Sequence, residues 1–576
     1  MPRKKKPKAT IAVVDFETDP FLYGRDPRPF AAGFYDGEIY KEFWGDDCVM
    51  QLLCYLESRT DPLCIYAHNG GKFDFFYFLE AGVIENPVLI INGRIVKAGF
   101  MGVHEIRDSY AIMPAPLAKI GNSKIGNKVE IDYAIMERDV RELNKKEILD
   151  YMKPDCVILW NAVFEFRERY GNKLTVGAMA ISELGKLHPV SRQNKSHDKR
   201  FRSFYFGGRV QCFESGHIKA DLQIFDVNSM YPAVMKDFNH PTGSYYVSPG
   251  ADAIKKFNHK TGDFKGFAGM YFMRFTGYSK CALPRKNEET KILEFPDMIG
   301  EFFACSHEVK AACELGLLKV QQIHEVLVPC SFMSFGEFVD AGMHEKISAK
   351  KNEDFISEFF AKLKLNSAYG KFGSNPEGFK EWFIYDEQCS TEEHDTFVEW
   401  IEANPKEVDP ETGKIISLGA ELVQDLGRFE IWQAPAPNDD GYFDVAVAAS
   451  ITSAARSVLL RAIHSAVRPI YCDTDSLICA SLPGVIIDPN ILGAWKFEGS
   501  TKEIYVGGKK LYSCILNERG KDGSIKYKLA SKGAKLVHQD LIDICAGKTV
   551  HWKSDAPNFK FSGEVKYVAR NIRKII

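Results

Sequence analysis

The chain has 576 residues, 45% of them hydrophobic and 26% charged, with a formal net charge of −3, a balance that excludes a disordered or fibrous protein. At about 150 residues per domain, this length implies three or four folding units. No uncharged apolar run approaches the roughly 18 residues of a membrane span, the basic start Met1–Lys8 has no apolar core behind it before Asp15, and the fourteen cysteines form no C-x-x-C pair. A secretory signal, a zinc ribbon and a disulfide framework are therefore not expected, and a reducing, cytoplasmic setting without a membrane is. The charge is unevenly placed. Residues 381–440 hold 16 acids against Lys406, Lys414 and Arg428, whereas 496–576 hold 17 Lys and Arg against 8 acids. A basic body with one acidic module suits a polyanionic partner.

In chain order, the first apolar run, Ile11–Val14, reads as a buried strand ending at Asp15 and Glu17. Two acids two residues apart on a strand share one face and repel unless a cation lies between them. A second strand, Leu63–Tyr66, leads into Tyr66-Ala67-His68-Asn69-Gly70-Gly71-Lys72-Phe73-Asp74. His68 reads as a packing or hydrogen-bonding residue. A helical pattern over 143–169 places Tyr151 and Asp155 on one face, with Pro154 expected to kink or restart the helix. The polar stretch Ser191–Arg202 reads as a linker.

Beyond it, Leu222–Phe225 reads as a strand running into Asp226-Val227-Asn228-Ser229-Met230-Tyr231-Pro232. The helical pattern 353–369 sets Lys362, Asn366 and Tyr369 within an arc of roughly 60°, beside an apolar stripe of Ile356, Phe359, Phe360 and Leu363. An ammonium, an amide and an aromatic ring on one face suit a triphosphate and a stacked base. Residues 373–440, with several Asn-Pro and Asp-Pro steps, read as a loop-rich insertion. Pro469–Cys472 then leads into Asp473-Thr474-Asp475 as a tight hairpin. Strands and helices in this order predict several α/β and α+β domains in series.

The first group of motifs, Asp15-x-Glu17, Asn69 to Asp74 and Tyr151-x-x-x-Asp155, resembles the 3′–5′ exonuclease domain of family B DNA polymerases. That resemblance implies a ribonuclease H-like domain in which Asp15, Glu17, Asp74 and Asp155 hold two divalent metals. Tyr151 would position the attacking water, Lys128 would offset phosphate charge, and Asn69 and Phe73 would hold single-stranded DNA. Ser109-Tyr110 stands where the family carries a Ser/Thr-Leu pair. The later motifs resemble polymerase motifs A, B and C of the same family, implying a right-hand domain of palm, fingers and thumb. Asp226 and Asp475 would then be the main metal ligands, with Asp473 assisting and Val227 also at the metals. Lys362, Asn366, Tyr369, Tyr231 and Val227 would bind the deoxynucleoside triphosphate. Tyr205-Phe206-Gly207-Gly208, Thr452 to Arg456, and Lys510-Leu511-Tyr512 resemble segments that hold primer and template, as does Lys371 after motif B. Carboxylate ligands without Cys or His favour Mg2+, or Mn2+ in its place, two ions per active site.

The compact layout resembles the protein-primed branch, from bacteriophages and linear plasmids. It implies an exonuclease domain at 1–190, a linker and first palm segment at 191–240, and a first insertion at 241–340 for DNA or a terminal protein. Fingers at 341–372, a second insertion for strand displacement and processivity at 373–440, a second palm segment at 441–500 and a palm edge with thumb at 501–576 complete it. Primer-template DNA, deoxynucleoside triphosphates and a terminal protein are the implied partners of a monomer. A primer-independent or nucleic-acid-primed relative, a nuclease that has lost synthesis, and an inactive polymerase-like scaffold are the competing readings.

Overall fold

The computed structural model describes residues 10–21, 27–121, 126, 128–189, 193–266, 269–408, 415–417, 419–436, 442–520, 522–554, 558–559 and 565–574. The basic start, part of the expected linker and residues 409–414 and 437–441 lie outside them.

Three large sheets organise the described chain. In the first, Thr10–Thr18 lies parallel to Leu63–Ala67, which lies parallel to His104–Asp108, with antiparallel strands on both flanks. Period-two alternation sorts the first strand's side chains. Ala12, Val14 and Phe16 enter the core shared with the Cys48–Glu57 helix, while Val13 packs on the opposite side with residues of the Lys145–Tyr170 helix. Asp15 and Glu17 follow Val13 on that second side. The helix runs unbroken through Pro154, so it does not restart there.

The second sheet is four-stranded, ordered His240–Pro249, Leu318–Met333, Phe272–Lys280 and Asp297–Cys305, and carries the Ser306–Glu314 helix. The third is a seven-stranded antiparallel sheet with Gly216–Val227 at its centre, flanked by Trp495–Gly508 and Ser476–Ser481. Phe225, Val227, Cys472, Leu477 and Cys479 line one face of this sheet, over the Met230–Asp237, Phe355–Phe372 and Val445–Ser465 helices. The last of these is long and apolar enough to cross a membrane, but it is mostly buried in this core and carries Arg456 and Arg461. All fourteen cysteines are free.

Two expectations change. The segment read as a linker contains the Lys195–Phe201 helix, capped by the Asn194 side chain and anchored by buried Phe201. The 373–440 segment is not loop-rich. It supplies Lys380–Asp386, Glu421–Asp425 and Phe429–Pro435 to the first sheet, and the Thr391–Ala403 helix starts in a Ser390–Glu393 capping box. Buried Phe383, Ile384 and Ile431 explain why so acidic a stretch folds.

Two candidate active sites

The first site forms where the Thr10–Thr18 strand faces the Lys145–Tyr170 helix. Glu17, Asp74 and Asp155 are buried and Asp15 is half-buried. Burial and the field of Asp155 push the Asp15 carboxyl up to about 7. Burial first, then Asp15 and Asp155, hold Glu17 well above the carboxylate range, and burial with Asp15 does the same to Asp74. Four acids thus share one electrostatic neighbourhood, as the spacing predicts. Lys128 is ion-paired with Asp155 and lies 5.0 Å from the Tyr151 ring centre. The Tyr151 hydroxyl is 3.2 Å from that of Tyr133. Asn69, with φ of 67°, begins the turn that ends at Asp74, and the ring of Phe73 packs edge-on against Phe21. His68 bonds Ser109 Oγ and the Ala115 carbonyl at 2.9 Å each, the structural part expected of it.

The second site lies on the seven-stranded sheet. Ser476 is the register partner of Asp226, and the Val227 N–H donates to the Asp475 carbonyl at 2.8 Å, so both motifs meet at one strand end. Thr474 takes a left-handed φ of 58°, and the Asp475 N–H closes on the Asp473 carbonyl at 2.6 Å. Burial, Asp475 and Glu498 raise Asp226 to about 6, and burial with Asp473 raises Asp475. The Lys510 ammonium lies 2.9 Å from both oxygens of Asp473. Above the acids, Tyr231 and Tyr369 stack at 3.9 Å with 10° between their planes. Lys362 and Asn366 are exposed on the same helix as Tyr369. Lys371 is half-buried, and burial lowers its pKa.

The Tyr205 to Gly208 segment sits against the hairpin. A Cβ on Gly208 would fall 2.7 Å from Thr474 Oγ1, so only glycine fits there without displacing the turn. Gly207 is exposed and Tyr205 half-buried. Thr452, Arg456 and Tyr512, read from the sequence as DNA contacts, are instead buried. Arg456 pairs with Glu308 at 2.7 Å and donates to the Phe206 and Gly207 carbonyls at 2.6 and 2.8 Å. Tyr512 packs with its ring centre 4.8 Å from that of Tyr471. These residues hold the site's walls rather than face a ligand.

Among the described residues, no three acids, histidines or cysteines are drawn into a closed metal cage. The donor sets nonetheless fit hard divalent cations. Each is built from carboxylates, Asp15, Glu17 and Asp74 in one and Asp226 and Asp475 in the other being raised by burial and neighbouring acids, and Asp155 Oδ1 is buried without a hydrogen-bond partner. Three further residues escaped sequence reasoning. Glu498 adds its field to Asp226 and Asp475 from the neighbouring strand. Tyr133 reaches Tyr151, and buried Asp19 bonds Arg138 and Arg141, tying the Glu17 strand to the segment beyond Tyr133. Only Asp19 left a sequence trace, as a third acid at alternate positions after Asp15 and Glu17.

The family described as DNA polymerase type B, organellar and viral, matches residues 127–406. A DNA-directed DNA polymerase of Enterobacteria phage PRD1 is 39% identical over the full length of both chains. The chain belongs to the protein-primed family B DNA polymerases. A DNA polymerase of Bacillus phage phi29 is 25% identical, covering 98% of this polymerase and 96% of its own length. The solved structure of phi29 DNA polymerase with primer-template DNA and incoming nucleotides matches with a TM-score of 0.72 at 20% identity, over 99% of this polymerase and all of that chain. The fold is thus a ribonuclease H-like exonuclease domain followed by palm, fingers and thumb, and this polymerase is a DNA-directed DNA polymerase.

Proposed function

We propose that the polymerase extends a 3′-hydroxyl supplied by a terminal protein or by DNA at the second site, and trims 3′ ends at the first. The observation that carries this reading is the separation of two carboxylate sets onto two sheets, each beside groups suited to its own substrate. At the palm, Asp226 and Asp475, with Asp473 assisting and the Val227 carbonyl beside them, would hold two Mg2+ ions, or Mn2+ in their place. At the exonuclease site Asp15, Glu17, Asp74 and Asp155 would do so. When bound, such ions activate an attacking oxygen and stabilise the leaving one.

The remaining work belongs to the chain. Lys362 and Asn366 receive the triphosphate, and the Tyr231–Tyr369 stack forms the floor on which base and sugar rest. Tyr231 there leaves no room for a 2′-hydroxyl. Gly207, Gly208, Lys371 and Lys510 lie along the path of primer and template, and Asn69 and Phe73 receive a frayed 3′ end. At the exonuclease site Tyr151 orients the attacking water, and Lys128 places a positive charge where phosphate charge develops. The second sheet would form the first insertion and the third the palm. The acidic 373–440 segment would govern strand displacement. The setting is the cytoplasm of a host cell and the product a linear phage or plasmid genome, copied by a monomer.

The test separates the sites. Asp15→Ala should abolish degradation of a single-stranded oligonucleotide, by a factor of about 10³, while primer extension persists. Asp475→Ala should do the reverse. One substitution abolishing both activities in a folded protein would refute the two-site assignment.

A further inference from the structure

Arg209 follows Gly208 directly, yet its side chain turns away from the catalytic face. It is among the largest fully buried side chains of the protein, 2% exposed. Its Nη2 donates to the Cys281 carbonyl at 2.9 Å and to Gln211 Oε1 at 2.6 Å, and Nε donates to the same Gln211 oxygen at 3.0 Å. The guanidinium lies 4.4 Å from the centre of the Phe295 ring. Cys281 and Phe295 both belong to the first insertion. They flank a segment closed on itself by the Cys281 N–H, which donates to the Pro296 carbonyl at 3.1 Å.

The backbone of Arg209 points the other way. Its carbonyl receives the Thr474 N–H at 2.7 Å, and the next residue, Val210, is the register partner of Asp473. One residue therefore grips the insertion with its side chain and the Asp473-Thr474-Asp475 turn with its main chain. The same pairing recurs at a second place. Lys509 donates to the Leu293 carbonyl at 2.8 Å, while its neighbour Lys510 rests on Asp473. Two basic residues thus hold the 281–296 segment from the palm, Arg209 being bonded directly to the turn that bears the acids and Lys509 being linked to it through Lys510.

Stability alone is a poor account of Arg209. A buried guanidinium is costly, and its Nη1 meets no oxygen or nitrogen. An apolar residue of similar volume would fill the space at less expense. What such a residue could not do is hold Cys281 and Phe295 in a fixed direction through a planar, forked and stacked group.

We propose that Arg209 is a positioning residue for synthesis, transmitting the seating of the 281–296 segment of the first insertion to the motif C turn. This inference rests on the assignment of Asp475 to the polymerase site. A partner or DNA duplex that shifts the insertion would thereby shift the acids without touching them.

The test compares full-length wild type with Arg209→Met, Arg209→Lys, Phe295→Leu and Asp475→Ala. Single-nucleotide incorporation gives kcat and KM, and excision of a single-stranded oligonucleotide reports independently on folding. Amide exchange in the peptide spanning 471–476 follows the turn without metal. Arg209→Met should lower kcat for incorporation about tenfold, with KM and excision changed less than about twofold, and should speed exchange at Thr474. Arg209→Lys keeps a donor for Cys281 but not the stack, and should recover part of the loss. Phe295→Leu should act in the same direction from the insertion side, and with Arg209→Lys it carries the test if the methionine variant does not fold. Wild-type incorporation in Arg209→Met or in both milder variants overturns the proposal, as does a parallel fall in excision. Retained incorporation by Asp475→Ala would instead overturn the site assignment beneath it.

Discussion

Asp444 caps the long palm helix, its Oδ1 accepting from the Val447 N–H at 3.3 Å and its Oδ2 from Gln193 at 3.2 Å. Burial outweighs those bonds and the helix dipole, raising the carboxyl to about 6. An acid whose folded pKa lies above its unfolded value stabilises the fold fully below the unfolded value, near 4. That contribution is lost as pH rises through the folded value. Asn at 444 keeps the acceptor and cannot ionise. Asp444→Asn should therefore match wild type in denaturant unfolding at pH 4 and exceed it at pH 8, by up to about 3 kcal/mol. Equal stability at both would mean the carboxylate is adequately solvated. At this scale the grouping of the carboxylates into two clusters was legible, because the acids recur in the order of the resembling motifs. Thr452 and Arg456 were misplaced because sequence order gives no depth: the helix that bears them is apolar on nearly every side. Arg209 and Glu498 were missed since their roles depend on neighbours far along the chain.

Among elements, the Lys145–Tyr170 helix shows tertiary burial overriding local preference. An interior proline costs about 3 kcal/mol, yet Ile148, Met152, Ile158, Leu159, Val163 and Phe166 are all buried along it. Each such side chain contributes about 1.5–3 kcal/mol, so the expected break does not occur. Its far end also packs Phe166 and Tyr170 against Phe360 of the motif B helix, joining the structural supports of the two sites. The insertion's attachment to the exonuclease sheet was invisible to sequence for a different reason. The backbone register between Lys380–Asp386 and Ile84–Ile90 is a single pair, Trp382 with Val88. Pro87 has no N–H to extend it, and the Asn86 side chain substitutes for the ladder. It receives the Ile384 N–H at 3.0 Å and donates to the Ile384 carbonyl at 2.8 Å. Asn86→Ala should release this joint at a cost of about 1–3 kcal/mol. It should be read as faster amide exchange at Ile384, with the Thr10–Thr18 strand unaffected. Unchanged protection at Ile384 would show that the side-chain bridge is dispensable.

At the scale of the whole molecule, the charge asymmetry acquires a location. The acidic 373–440 segment adds three strands to the edge of the first sheet, while the basic C-terminal stretch supplies Trp495–Gly508, Leu511–Arg519 and Ile525–Ser531 to the third. A surface repelling DNA beside one attracting it suits a path that admits one strand and turns another away. Residues 387–427 hold 11 of these acids against Lys406 and Lys414. Removing them takes away the edge strand Glu421–Asp425 and the Thr391–Ala403 helix but leaves Lys380–Asp386 paired with Phe429–Pro435, because Asp386 is the register partner of Phe429 and a short glycine turn can join the two strands. Removing all of 373–440 would strip Lys380–Asp386 from Asn86 and confound the result. The shorter deletion should leave excision of single strands and extension around a primed single-stranded circle near wild type. Synthesis should then stall once the circle is complete, since nothing turns aside the strand ahead. In the intact protein, added salt should leave displacement unchanged if the segment acts as a physical wedge, and weaken it if charge repulsion does the work. Products many circles long from the deleted protein would place strand displacement elsewhere, leaving the acids as a solvated face.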